Sequence, residues 1–213
     1  MDLNEQMQRR LADGLEYRNM TISVRSLPDD DDRMMVEGYA TTFNQPYELY
    51  SYDNRTVMEQ IDPHVFDECD MSDVIIQYDH QGRVFARTRN STLTLRIDAK
   101  GLYIAADLGG TEEGRKLYQE IKGGYTDRMS FGFVVGADNR TITEDHDAGT
   151  VTVLRTILKI KKLYDVSAVS IPANDMTSIS ARSLADGLIA GLAEECRRKK
   201  ENRLKLKLLL EGF

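Results

Sequence analysis

The sequence predicts an α+β fold: mainly an antiparallel β-barrel with one internal helix pair and helical arms at both termini. Three observations predict it. About eight short segments carry apolar residues at every second position, separated by turn residues at hairpin spacing. A helix between those segments is bounded by Thr111 as N-cap and by Gly123-Gly124 at its end. Leucines recur at helical spacing at both ends of the chain, Leu3, Met7, Leu11 and Leu15 at the first and Leu184, Leu188 and Leu192 at the second. With strands dominating the centre, closure into a barrel is the economical way to remove exposed edges.

The expected organisation is an N-terminal helical arm over 1–20, a β-barrel domain over 21–182 and a C-terminal helical arm over 183–213. Thr21 to Arg25 alternates and pairs with Met34 to Phe43, the acidic run Asp29 to Asp32 forming the turn between them. Asn44 to Asp53 reads as a tyrosine-rich loop. Asp62 and Pro63 have the chemistry of an N-cap and a first helical residue, so the first helix of the internal pair opens there. Val74 to Tyr78, Val84 to Thr88, Thr92 to Ile97 and Leu102 to Leu108 follow as a meander. Glu112 to Lys122 is the second helix, with Leu117 and Ile121 on its apolar stripe and Glu112 and Glu113 at its positive end. Phe131, Phe133 and Val135 mark the next strand; Thr150 to Lys159 and Lys162 to Ile171 are the last two.

Composition narrows the function. The net charge is −7, with acidic and basic residues interspersed, which argues against a general nucleic-acid binder. No apolar run approaches the ~20 residues that span a bilayer, and no signal-peptide pattern is seen, so a membrane partner is not expected. Cys69 and Cys196 have no metal-ligand or redox spacing, which suits a reduced cytoplasm and calls for no cofactor.

Three side chains stand where chemistry could be done. His80 ends an apolar strand and precedes a glycine-containing loop, a rigid-then-open placement that suits a general base and equally an ordinary loop histidine. Ser130 opens the Phe131-Gly132-Phe133 run, a post fit for a nucleophile or for a plain polar residue. A serine hydroxyl is a poor nucleophile unless a base removes its proton, and two strand ends can meet at one rim of a barrel. Asp165 lies in a strand otherwise apolar at Val166, Ala168 and Val169, where a carboxylate is costly unless partnered. It would orient the imidazole, or else pair with Lys159, Lys161 or Lys162. Asp79 is the second choice for the acid, and a metal site built on His80, Asp79 and His64 lacks a recognisable ligand spacing.

The order of several blocks resembles the prohead serine proteases of tailed bacteriophages. These are Val-Glu-Gly-Tyr-Ala-Thr-Thr-Phe (36–43), Ile-Asp-Pro-His-Val-Phe (61–66), the strand ending in His80, and Gly-Leu-Tyr-Ile-Ala-Ala (101–106). Gly-Arg-Lys-Leu-Tyr (114–118), Met-Ser-Phe-Gly-Phe (129–133) and Leu-Tyr-Asp-Val-Ser-Ala-Val-Ser-Ile-Pro-Ala (163–173) complete the match. The resemblance implies a serine endopeptidase with Ser130 as nucleophile, His80 as general base and Asp165 at the third, acidic position, where many relatives carry glutamate. It also implies a barrel shared with herpesvirus assembly proteases, whose third member differs. The expected partners are the phage major capsid protein and its scaffold segment, or a separate scaffold protein, met inside the prohead in the host cytoplasm. The C-terminal arm could pair with its own copy, and removal of that arm by self-cleavage after Ile179 is a further expectation. The rival reading is a non-catalytic capsid-assembly protein that keeps the barrel as a scaffold-binding module.

Overall fold

A computed structural model describes residues 14–20, 25–26, 33–52, 54–145, 147–169 and Arg198. Apart from Arg198, all of these belong to one compact unit that ends at Asp175; a second unit covers 176–213. The strands are β1 (Leu15–Met20), β2 (Arg25–Ser26), β3 (Met35–Thr42), β4 (Tyr47–Tyr52), β5 (Arg55–Ile61), β6 (Ile75–Tyr78), β7 (Gln81–Arg87), β8 (Leu93–Ile97), β9 (Gly101–Asp107), β10 (Arg128–Asp145) and β11 (Thr150–Val169). One α-helix, α1 (Glu112–Lys122), separates β9 from β10.

Among the described residues the strands form two separate sheets and no closed barrel. One has seven strands, in the order β1-β10-β11-β5-β4 with β6 joined to β11 and β7 to β6; the other is the antiparallel β2-β3-β9-β8. The larger sheet is mixed: β5 and β6 both run parallel to β11, at different stretches of it. Its twenty residues allow this, since 151–157 pair with β5 and Asp165 and Ala168 pair with β6. Alternation of apolar residues reports a buried face and carries no sign of strand direction or of closure, so neither these two parallel pairings nor the opening of the expected barrel into two sheets was legible, while the other pairings are antiparallel as expected.

The helical expectations need three corrections. Leu15–Met20, placed in a helical arm, is a strand paired with β10; residues 1–13 lie outside the described ones. The helix expected after Asp62 is a series of tight turns. Asp62 Oδ1 does accept the His64 N–H, as an N-cap does, but the N–H groups of Val65, Asp67 and Cys69 bond three residues back. Strand β11 takes backbone groups that a helix would need: the Asp70 N–H goes to Lys161 and the Val65 C=O accepts from Ile160. Among the described residues the helix pair is therefore one helix, α1, where the Thr111 hydroxyl accepts the Gly114 N–H as its cap chemistry predicts. The C-terminal arm lies outside the described residues except for Arg198.

The core draws on both sheets and the helix. Val36 and Ala40 of β3, Leu102, Ile104 and Ala106 of β9, Leu117, Tyr118 and Ile121 of α1, and Phe131, Phe133, Ile160, Leu163 and Val166 of the β10–β11 hairpin form one buried cluster. Phe131 and Phe133 stack with ring centroids 4.6 Å apart. That cluster anchors the start of β10 from its Phe131 face, and the polar residues on the other face are held with it.

Candidate active site

Register decides which side chains share that second face. Ser130 pairs with Ser167 and Gly132 with Asp165 across β10–β11, while Tyr17 pairs with Gly132 across β1–β10. Directly opposed residues project to the same side of a sheet, so Ser130, Asp165, Ser167 and Tyr17 gather there. Keeping Asp165 on this side takes a bulge. Leu163 pairs with Phe133 and belongs to the core, and Asp165, two residues on, would ordinarily point the same way. Tyr164 is the extra residue between them, and its insertion turns Asp165 to the opposite face.

His80 arrives from the neighbouring hairpin. Tyr78 pairs with Gln81, so Asp79 and His80 are the two residues of the β6–β7 turn, with φ of 48° and 58°. Positive φ at both central positions is the primed hairpin geometry that asparagine and glycine favour. For residues with side chains it costs on the order of 1 kcal/mol each. The turn is held in place because β6 pairs with β11 beside Asp165, because the Asp79 N–H donates to Ala168 C=O at 3.0 Å, and because Gln77 Nε2 spans the turn to Gly82 C=O at 3.2 Å.

The three residues singled out from the sequence meet. His80 Nε2 lies 2.6 Å from Ser130 Oγ, and His80 Nδ1 lies 2.5 Å from Asp165 Oδ1. A carboxylate only accepts, so Nδ1 carries the imidazole proton and Nε2 is left with the lone pair that receives the serine O–H. Ser130 is fully buried, Asp165 is 4 % exposed and the His80 side chain 15 %. Bulk water therefore competes little for these bonds. The arrangement can draw a proton from a serine hydroxyl and hold the resulting imidazolium.

The alternatives for these residues go elsewhere. Lys159 bonds Glu68, and Lys162 bonds Asp70 at 2.8 Å, so these two lysines are not the partners of Asp165. The acid on His80 Nδ1 is Asp165, not the adjoining Asp79. His64 is exposed and faces Asp67 at 3.2 Å. Among the described residues no three His, Cys, Asp or Glu side chains gather as metal ligands would. Cys69, with burial pushing its thiol up to about 11, is a poor thiolate.

Two members of the site escaped the sequence reading. The Ser167 hydroxyl donates to Asp165 Oδ1 at 2.7 Å and accepts the Gln77 N–H at 3.2 Å, tying the carboxylate to β6, the strand that leads into His80. Its position two residues after Asp165 in a strand was the available signal. Tyr17 sets its ring 4.2 Å from the imidazole, centroid to centroid. Gly132 makes both placements possible: a Cβ there would lie 2.4 Å from Asp165 Oδ2 and 2.7 Å from Tyr17 Cε1.

Comparison with known proteins agrees with the order of blocks in the sequence. The model of one family, described as caudovirus prohead serine protease, matches residues 20–188. No curated protein matches the chain. Among solved structures the chain is similar to the capsid assembly protease of bacteriophage T4, with 13 % identity and a TM-score of 0.39, over 74 % of this chain and 98 % of that one. The match of the family model over most of its length makes this chain a member of the caudovirus prohead serine protease family.

Proposed function

We propose that the chain is a serine endopeptidase of prohead maturation in which Ser130 is the nucleophile, His80 the general base and Asp165 the residue that orients and stabilises the imidazolium. One observation carries this reading: the continuous chain of hydrogen bonds from Ser130 Oγ through both nitrogens of His80 to Asp165, at 2.6 and 2.5 Å.

The chemistry is acyl transfer. His80 Nε2 takes the Ser130 proton as Oγ bonds to the scissile carbonyl carbon, whose π electrons move onto its oxygen. The imidazolium, kept in register by Asp165, gives that proton to the amide nitrogen as the C–N bond breaks and the amine departs. Water then loses a proton to Nε2 and attacks the acyl carbon; the ester bond opens, and Ser130 Oγ recovers the proton. The hydroxyl of Ser167 keeps one carboxylate oxygen fixed throughout.

The substrates in this reading are the scaffold segment of the phage capsid protein, or a separate scaffold protein, within the assembling prohead. The chain itself is also a substrate, at a site beyond Ile179 that lies outside the described residues. Co-expression with the capsid protein tests the reading: wild type removes a scaffold segment, and Ser130→Ala does not while melting at the same temperature. A fluorophosphonate probe labels Ser130 in wild type. Processing by Ser130→Ala would overturn the assignment, and absence of both processing and labelling in wild type would favour a non-catalytic assembly role. Intact-mass measurement of an active preparation checks self-cleavage, which an uncut C-terminus would refute.

A further inference from the structure

We infer that Tyr17 is a positioning residue for His80, and that a buried ionic cluster on the other face of the same strand is what holds it there. The inference rests on the peptidase reading above and adds to it a part of the chain that the nucleophile, base and acid do not include.

The imidazole has two edges and two faces to secure. Its edges are fixed by Ser130 and Asp165, each through one nitrogen. Two bonds in the ring plane leave rotation about the axis between them unopposed. The Tyr17 ring, 4.2 Å away and inclined at 53°, bears on a face and blocks that rotation. His80 needs such a support more than most residues, because it sits in a two-residue turn with positive φ and its own backbone favours departure from that geometry. The absent side chain at Gly132 gives the tyrosine room between β10 and the imidazole.

Strand β1 is a weak platform by itself: it is six residues long and, among the described strands, stands at the edge of the sheet with β10 as its one neighbour. Residues adjacent in a strand point to opposite faces, so Glu16 and Arg18 reach away from Tyr17. Arg18 donates to both oxygens of Glu59 on β5, and its Nη1 donates to the Tyr17 carbonyl at 2.9 Å. Glu16 accepts from Arg155 on β11 at 2.8 and 3.1 Å, and Arg155 also reaches Glu59 at 3.0 Å and Asp138 at 2.5 Å. Tyr47 closes the cluster by donating to Glu59 at 2.5 Å. Arg18, Glu59 and Arg155 are buried. The edge strand is thus bound to β5, β10 and β11 by groups whose release would strand charge in the interior, and the backbone on which Tyr17 rides is fixed by the arginine next to it.

Three variants test this: Tyr17→Ala, Tyr17→Leu, which keeps bulk without the ring, and Tyr17→Phe. The first readout is the rate of fluorophosphonate labelling at Ser130. Tyr17→Ala should slow it about tenfold to a hundredfold, the scale on which small misplacements act, at a melting temperature close to wild type. Tyr17→Phe should restore the rate to within about threefold, because it keeps the ring that stands 4.2 Å from the imidazole. The second readout is the NMR spectrum of the His80 ring, assigned by its loss in His80→Gln. Removing the tyrosine ring should shift the imidazole carbon-bound protons and broaden the ring resonances, with Tyr17→Leu behaving as Tyr17→Ala. Labelling of Tyr17→Ala and Tyr17→Leu at the wild-type rate, with unchanged His80 resonances, overturns the inference. If wild type is not labelled at all, the peptidase reading falls, and the His80 spectrum alone decides whether Tyr17 holds the ring.

Discussion

The two faces of β1 and the strands beside it bury polar groups in opposite ways. On one face a hydroxyl, an imidazole and a carboxylate are strung together with Ser167 behind them. On the other, Arg18 and Arg155 interleave with Glu16, Glu59 and Asp138. In the ionic cluster Glu16, Arg18 and Arg155 are driven further into their charged forms. Burial pushes Glu16 up, yet the bonds from Arg155 and the charge of Arg18 outweigh it and hold the carboxyl below its ordinary value. Burial likewise works to lower Arg18, and the Glu59 carboxylate reverses it, leaving the guanidinium well above the usual arginine range. The Tyr47 hydroxyl is pushed well up by burial and then by Glu59, so it remains a donor. The difference teaches a division of labour. In the proposed mechanism protons are exchanged on the face whose central group is an imidazole, while on the other face Glu16, Arg18 and Arg155 are held in their charged forms.

Asp165→Asn should be the severest blow to the first face. It preserves size but replaces an acceptor of the Nδ1–H by a group that can present an N–H, and about a 10⁴-fold loss of labelling rate is expected, equivalent to about 5.5 kcal/mol. Retention of most activity would move the third role away from Asp165. Glu59→Ala is the matching insult to the second face: it removes the buried carboxylate shared by Arg18 and Arg155, leaving them Glu16 and, for Arg155, Asp138. Chemical denaturation should report a loss of about 3–5 kcal/mol, and protein that remains folded should label as slowly as Tyr17→Ala. Normal labelling in that variant would show the faces to be independent. Gly132→Ala is the mildest. Its methyl group must displace the Asp165 carboxylate or the tyrosine ring, and about a hundredfold slower labelling is expected with little change in melting temperature.

Much of the candidate site was legible because its members break their local pattern. Asp165 interrupts an apolar strand, Ser130 opens an alternating one, and His80 follows a short apolar run, so each stood out without knowledge of the others. Tyr17 did not, since Leu15–Met20 carries Glu16 and Arg18 where a buried strand would show apolar residues. A strand that buries ions on one face reads as an exposed polar segment, and the leucine spacing before it suggests a helix. Strand β4 is hidden for a related reason: Tyr47–Tyr52 pairs along β5 at one end of the described strand order, where the sequence predicts a tyrosine-rich loop. The turn at Asp62 had correct capping chemistry, but β11 engaged the backbone groups that a helix needs. The bulge at Tyr164 is invisible locally, because it depends on what Phe133 and Gly132 require of the partner strand.

The left-handed pair at Asp79 and His80 has a bearing on any attempt to make this molecule sturdier. Sequences that relax the hairpin, asparagine followed by glycine above all, are the ones a thermostability screen would reward at these two positions. Any winner that places glycine at position 80 discards the imidazole. Selection for resilience and selection for the proposed turnover therefore pull this corner in contrary directions, and a library meant to improve the protein should leave His80 untouched.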